Sequence, residues 1–127
     1  MSARVPFEYA VLRVVPRVER GESINAGVVV YSQVAQFLGG RVHLDGARLR
    51  AIDPGADVAA IEAALRSAAD TCAGRGTGGA EEIGRRFRWL TAPRSTVVQP
   101  GPVHTGLTDD IAAEPERLLA LLVLPLP

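Results

Sequence analysis

Side chains equipped for chemistry gather in one stretch, Ala92 to Gly106, which reads Ala-Pro-Arg-Ser-Thr-Val-Val-Gln-Pro-Gly-Pro-Val-His-Thr-Gly. Arg94, Ser95 and Thr96 suit a small anionic ligand, because a guanidinium, two hydroxyls and free backbone N–H groups can hold a phosphate or carboxylate. Their plainer use is structural, with Arg94 tying the loop to a carboxylate such as Glu19 or Glu22. The glycine-rich lead and the lysine of a nucleoside-triphosphate loop are missing. His104 is of the residue type suited to acid–base work near neutrality. Set between proline and glycine turns, it serves equally to hydrogen-bond the backbone. Ser95, His104 and Asp109 or Asp110 are the residue types of a nucleophilic triad, but Ser95 runs into Thr-Val-Val and lacks the sharp turn that exposes such a serine. His43 is the second histidine. No His-x-x-x-His or paired-carboxylate spacing accompanies either one, so no metal and no other cofactor is expected.

The elements that must position these residues follow from periodicity. Phe7 to Pro16 is rich in β-branched and aromatic residues and reads as a strand. Phe7, Tyr9, Val11, Arg13 and Val15 fall on one face, and Ala10, Leu12 and Val14 on the other. Both faces are apolar, so the strand is expected to be central and covered on both sides. Arg13 interrupts its face, either reaching past the sheet edge or aimed into a cleft. Ile24 to Ser32 is a second strand. Asn25 and Gly27 at its start are unusual strand residues and suggest a bulge or a close backbone approach. Phe37 to Leu44 completes an antiparallel meander.

Asp45 to Ile52 reads as a short helix that stops before the turn signal Asp53-Pro-Gly. Asp57 then caps a longer one. Along it Val58, Ile61, Leu65, Ala68 and Cys72 form an apolar stripe, which makes Cys72 a core residue rather than a reactive thiol. The glycine-rich Gly74 to Gly79 is a loop. Ala80 to Leu90 reads as another helix, with Ile83, Phe87 and Leu90 on one face and Arg85, Arg86 and Arg88 over much of the rest. Trp89 is expected to be a packing anchor. Within Ala92 to Gly106, Ser95 to Gln99 makes a fourth strand, Gln99-Pro-Gly-Pro a tight turn, and Val103 onward a short extended piece. A last helix follows Asp109 and Asp110, with Pro115 in its first turn.

These elements predict one α+β domain over residues 1–127: an antiparallel sheet of about four strands with three to four helices packed mainly on one face. Charge narrows the partners. Fourteen acidic residues balance fourteen basic ones, all arginine. A protein that coats nucleic acid would show a basic excess, so nucleic acid is not the expected partner. The arginine-rich run from Arg85 to Arg94 is the one stretch that argues the other way. No apolar run is long enough to span a membrane, no signal peptide opens the chain, and the single cysteine fits a reducing cytoplasm. The hydrophobic C-terminal helix and an exposed sheet edge are features on which a homodimer could form.

Three blocks carry a family resemblance. The first is Tyr9-Ala-Val-Leu-Arg-Val-Val-Pro with Glu19-Arg-Gly-Glu. The second is Asn25-Ala-Gly-Val-Val-Val-Tyr. The third runs from Phe87 through Pro93, Arg94 and His104 to Leu107. The chain resembles the bacterial domain-of-unknown-function family numbered 3037 across nearly its whole length. It departs from the family's pattern in the last helix, where Ile111 follows the Asp pair and Pro115 comes later. The resemblance implies a small cytoplasmic bacterial domain without an established activity. Members often sit beside genes for HipA-like kinases, which implies a kinase-like protein partner.

Residues and resemblance together point to a binding or adaptor module, with Arg13, Asn25, Arg94, Ser95 and His104 as its recognition surface. The alternative is a small enzyme acting on a phosphorylated or nucleotide-like substrate, with Arg94 holding the anion and His104 as acid or base.

Overall fold

Strand β1 (Val5–Val14) is the spine of the molecule. The computed structural model describes residues 3–127, with Thr77 described by its backbone alone. Antiparallel to β1 lies β2 (Ile24–Ser32), and outside β2 lies β3 (Phe37–Val42). Side chains alternate along β1. Ala10, Leu12 and Val14 enter one core, and Phe7, Tyr9 and Val11 face a second core on the other side.

The odd start of β2 is a bulge. Leu12 faces Gly27 and Arg13 faces Asn25, which leaves Ala26 as the extra residue. The bulge changes the phase of the pattern. Before it, Ile24 and Ala26 face the first core; after it, Val29 and Tyr31 do, while Val28 and Val30 turn to the second. Gly27 is the close approach: a Cβ there would lie 3.0 Å from both the Arg41 carbonyl oxygen and Val42 Cγ1.

The far side of β1 carries two short strands end to end, β4 (Val98–Pro100) and β5 (His104–Thr108). Leu12 faces Pro100 and Tyr9 faces His104. Two residues of β1, Ala10 and Val11, therefore oppose three, Gly101, Pro102 and Val103. The expected tight turn at Gln99-Pro-Gly-Pro is thus a second bulge, and the chain continues along β1 without reversing. This adds a fifth strand to the sheet. The bulge also explains how a strand tolerates these prolines. Gly101 N–H donates inward to the Val11 carbonyl at 2.7 Å, so the nitrogen of Pro100 points to the open edge, where a ladder needs no donor. An edge without that N–H is a poor template for another chain.

Helices cover both faces, three on one and one on the other. Helix α1 (Gly46–Ile52) is capped by Asp45, which accepts from Arg48 N–H at 3.2 Å. Helix α2 (Val58–Cys72) is capped by Asp57, which accepts from Ala60 N–H at 3.0 Å. Helix α3 (Ile83–Thr91) starts later than its periodicity suggests: a 3-10 turn occupies Thr77–Ala80, and Glu82 caps the helix by accepting from Arg85 N–H at 2.7 Å. Leu49, Ile61, Leu65, Phe87 and Leu90 pack against the Leu12 face. Helix α4 (Glu114–Leu122) brings Leu118, with Val123 just beyond its end, to Phe7, Val28 and Val30 on the opposite face. The α+β class stands, with two cores rather than one, because β1 and β2 are apolar on both sides. Among the described residues no helix is long and apolar enough to cross a membrane.

One ion pair lies within the first turn of α4. The Glu114 carboxylate is buried and accepts from Arg117 Nε at 3.0 Å and from Arg117 Nη2 at 2.7 Å. Burial pushes its pKa up, but the hydrogen bonds from Arg117 and Thr108 and the arginine's charge outweigh burial and hold it below the usual carboxylate range. A carboxylate depressed in the folded state contributes stability above its unfolded pKa and loses it as pH falls through the folded value. Glu114→Gln is therefore expected to cost about 1 kcal/mol at pH 7, since Arg117 is half in solvent. The gap between variant and wild type should close in strong acid. Urea midpoints at both pH values measure this; a gap that widens in acid would contradict the assignment.

Candidate functional site

Helix α3 has two unlike faces. Ile83, Phe87 and Leu90 point into the core, and Phe87 stacks on Tyr31 with ring centroids 5.2 Å apart. Trp89 lies two positions from Phe87, about 200° around the helix, and so is turned outward. It is 58% exposed, which corrects its expected role as a packing anchor. The helix ends at Ala92-Pro93, where proline disfavours further helical backbone. Arg94 then folds back. Its Nε donates to the Ala92 carbonyl at 3.2 Å, Nη2 donates to the Trp89 carbonyl, and the guanidinium carbon sits 4.8 Å from the centroid of the Trp89 ring. Arg94 is thus a C-terminal cap with a cation–π contact, a favourable place for positive charge. The expected carboxylate partners are engaged elsewhere: Glu19 with Arg17 and Glu22 with Arg20.

Trp89 and Arg94 form the rim of a cleft of about 560 Å³ between α2, the end of α3 and β4. Leu12, Leu90 and Val98 lie at its apolar base. Ala60, Ala64 and Ser67 of α2 form one wall, and their small side chains leave the space. Asp53 and Asp57 stand at the other end, but both are occupied. Asp53 accepts from Gly55 N–H at 3.0 Å and pairs with Arg17 at 3.6 Å, and Asp57 caps α2. Beyond Trp89 a second groove, of about 750 Å³, separates α2 from α3. Ser67 and Trp89 line both spaces, so the tryptophan is a ridge between an apolar cleft and a groove walled by arginines.

The five residues singled out by sequence divide between the two sides of the sheet. Arg94 and exposed Ser95 belong to the α3 side. Arg13, Asn25 and His104 belong to the α4 side. Arg13 covers the bulge, with Nη2 2.9 Å from where a Gly101 Cβ would stand. Asn25 Nδ2 donates to the Leu122 carbonyl at 3.0 Å and so caps α4. His104 packs its ring on Tyr9, 5.3 Å between centroids. Arg94 and His104 share no cleft in this arrangement, and chemistry that needs both groups on one substrate is not available to it. Cys72 is buried, and burial pushes its thiol up to about 11 against a smaller lowering by Arg86, so it is no thiolate at neutral pH. Among the described residues no three His, Cys, Asp or Glu side chains converge as metal ligands.

Sequence reasoning overlooked the clefts. Their signal was present in Ala60, Ala64 and Ser67, small residues flanking the apolar stripe of α2, and in a tryptophan out of phase with the stripe of α3. A family model described as "Protein of unknown function (DUF3037)" matches residues 9–123, from the middle of β1 to just past α4. No curated protein and no solved structure matches the chain.

Proposed function

The chain belongs to the DUF3037 family, and on that premise we propose that it is a binding module that engages a protein partner through the cleft beside Trp89. One observation carries the reading: the chain's only tryptophan is 58% exposed, yet is held in place by Arg94 on the rim of an apolar cleft. Large aromatics anchored in this way supply much of the energy of protein interfaces. Arg94 adds a cation next to the ring, and Ser95 follows it at the surface. Family resemblance adds a kinase-like protein as the first partner to try. Arg13, Asn25 and His104 have structural employment on the opposite face and form no part of this surface.

The lone tryptophan makes the test direct. Titrating the partner into the protein should move Trp89 emission to shorter wavelength and saturate at about 1–10 µM or below. A complex that forms without changing the emission would place the interface elsewhere, and no complex in that range would remove the kinase-like partner.

A further inference from the structure

The groove between α2 and α3 concentrates positive charge in a neutral chain. Arg66, Arg75, Arg85 and Arg86 line it against Asp70 and Glu81, so four guanidinium groups less two carboxylates leave two positive charges. The two acids are weakly committed. Arg75 Nη2 meets Asp70 at 2.9 Å and Arg85 Nη1 meets Glu81 at 3.8 Å, both in solvent, where an ion pair is worth about 0–1 kcal/mol and exchanges readily. Among the described residues neither Arg66 nor Arg86 takes part in an ion pair. Arg86 is nevertheless fixed. Its Nη1 donates to the carbonyls of Thr71 at 2.8 Å and Cys72 at 3.3 Å, and its Nε–H is buried without an acceptor. The fold positions this cation and supplies no carboxylate to neutralise it. The loop that closes the groove is built to stay thin: a Cβ on Gly79 would collide with the Gly74 backbone.

We propose that this groove binds a phosphate monoester. The planar, always charged guanidinium matches phosphate oxygens in pairs, and the excess of two charges matches the dianion. Arg66, Arg85 and Arg86 hold the phosphate, Arg75 closes over it, and the organic part of the ligand passes across the exposed ring of Trp89. The proposal rests on the groove and is independent of the partner cleft, so either reading can fail alone.

Trp89 emission, titrated at low ionic strength with inorganic phosphate, adenosine 5′-monophosphate and adenosine, tests it. Phosphate and the nucleotide should each saturate with Kd on the order of 1 mM or tighter and compete with each other, and adenosine should not saturate in that range. A nucleotide that binds more tightly than phosphate identifies a nucleotide as the source; equal affinity identifies the phosphate group alone. Both results uphold the site. Arg86 also ties α3 to α2, so the informative variant is at exposed Arg66. Arg66→Glu should weaken both ligands by about tenfold or more. Absence of saturation by phosphate and nucleotide, equal binding of adenosine and nucleotide, or affinity unchanged in Arg66→Glu would overturn the proposal.

Discussion

Replacing Phe87 by alanine should remove about 3–5 kcal/mol of folding stability, the usual cost of truncating a buried aromatic. Phe87 is 1% exposed and stacks on Tyr31 of β2, with the rings 25° from parallel. Three losses combine: the transfer energy of the ring, the cavity it leaves, and the aromatic pairing itself, about 0.5–1.5 kcal/mol beyond area burial. The site cannot collapse easily, because Leu65 and Leu90 pack in the same core and Gly84 lies under the Tyr31 hydroxyl, which would stand 3.0 Å from a Cβ there. A domain with a total of about 5–15 kcal/mol is left marginal by such a loss. Urea unfolding should show a lower midpoint at unchanged slope. A loss below about 1 kcal/mol would mean that α3 does not anchor this core.

Trp89→Ala, two residues further along the same helix, should give the opposite signature. The side chain is mostly in solvent, so stability should change by no more than about 1 kcal/mol, the worth of its contact with Arg94. Partner affinity should instead fall by about 2 kcal/mol or more, roughly thirtyfold in Kd, as for an aromatic at the centre of an interface. Calorimetric titration of the partner into both proteins measures it. Unchanged affinity would show that the cleft is not where the partner docks. Taken together, the two variants separate the face of α3 that holds the molecule together from the face that is free to bind.

Much of the fold was legible along the chain because its cause is local. The stripe Ile61, Leu65, Ala68 and Cys72 repeats with the period of a helix, and Asp57 announces where that helix starts. Both faces of β1 are apolar, so cover on both sides could be read from one strand. Asn25 and Gly27 signalled the first bulge by being poor strand residues. The prolines at 100 and 102 were equally visible but were read as a tight turn, because their partner is β1, nearly the whole chain away, and only pairing shows that the backbone continues straight.

The candidate site was less legible for a related reason. Arg13, Asn25, Arg94, Ser95 and His104 are alike in being polar residues at odd positions, and nothing local says whether they meet. On a strand, neighbours point to opposite faces, and each bulge shifts the phase by one residue. A sheet with bulges at Ala26 and at Gly101–Val103 therefore sorts residues between two sides in a way that composition cannot show. By itself the sequence determined most of the element types, the Asp57 cap, the covered spine and the core role of Cys72, because propensity and periodicity act over a few residues. Tertiary structure alone decided that Arg94 stacks on Trp89 while Arg13, Asn25 and His104 lie across the sheet, because facing depends on strand register and on which helix covers which side.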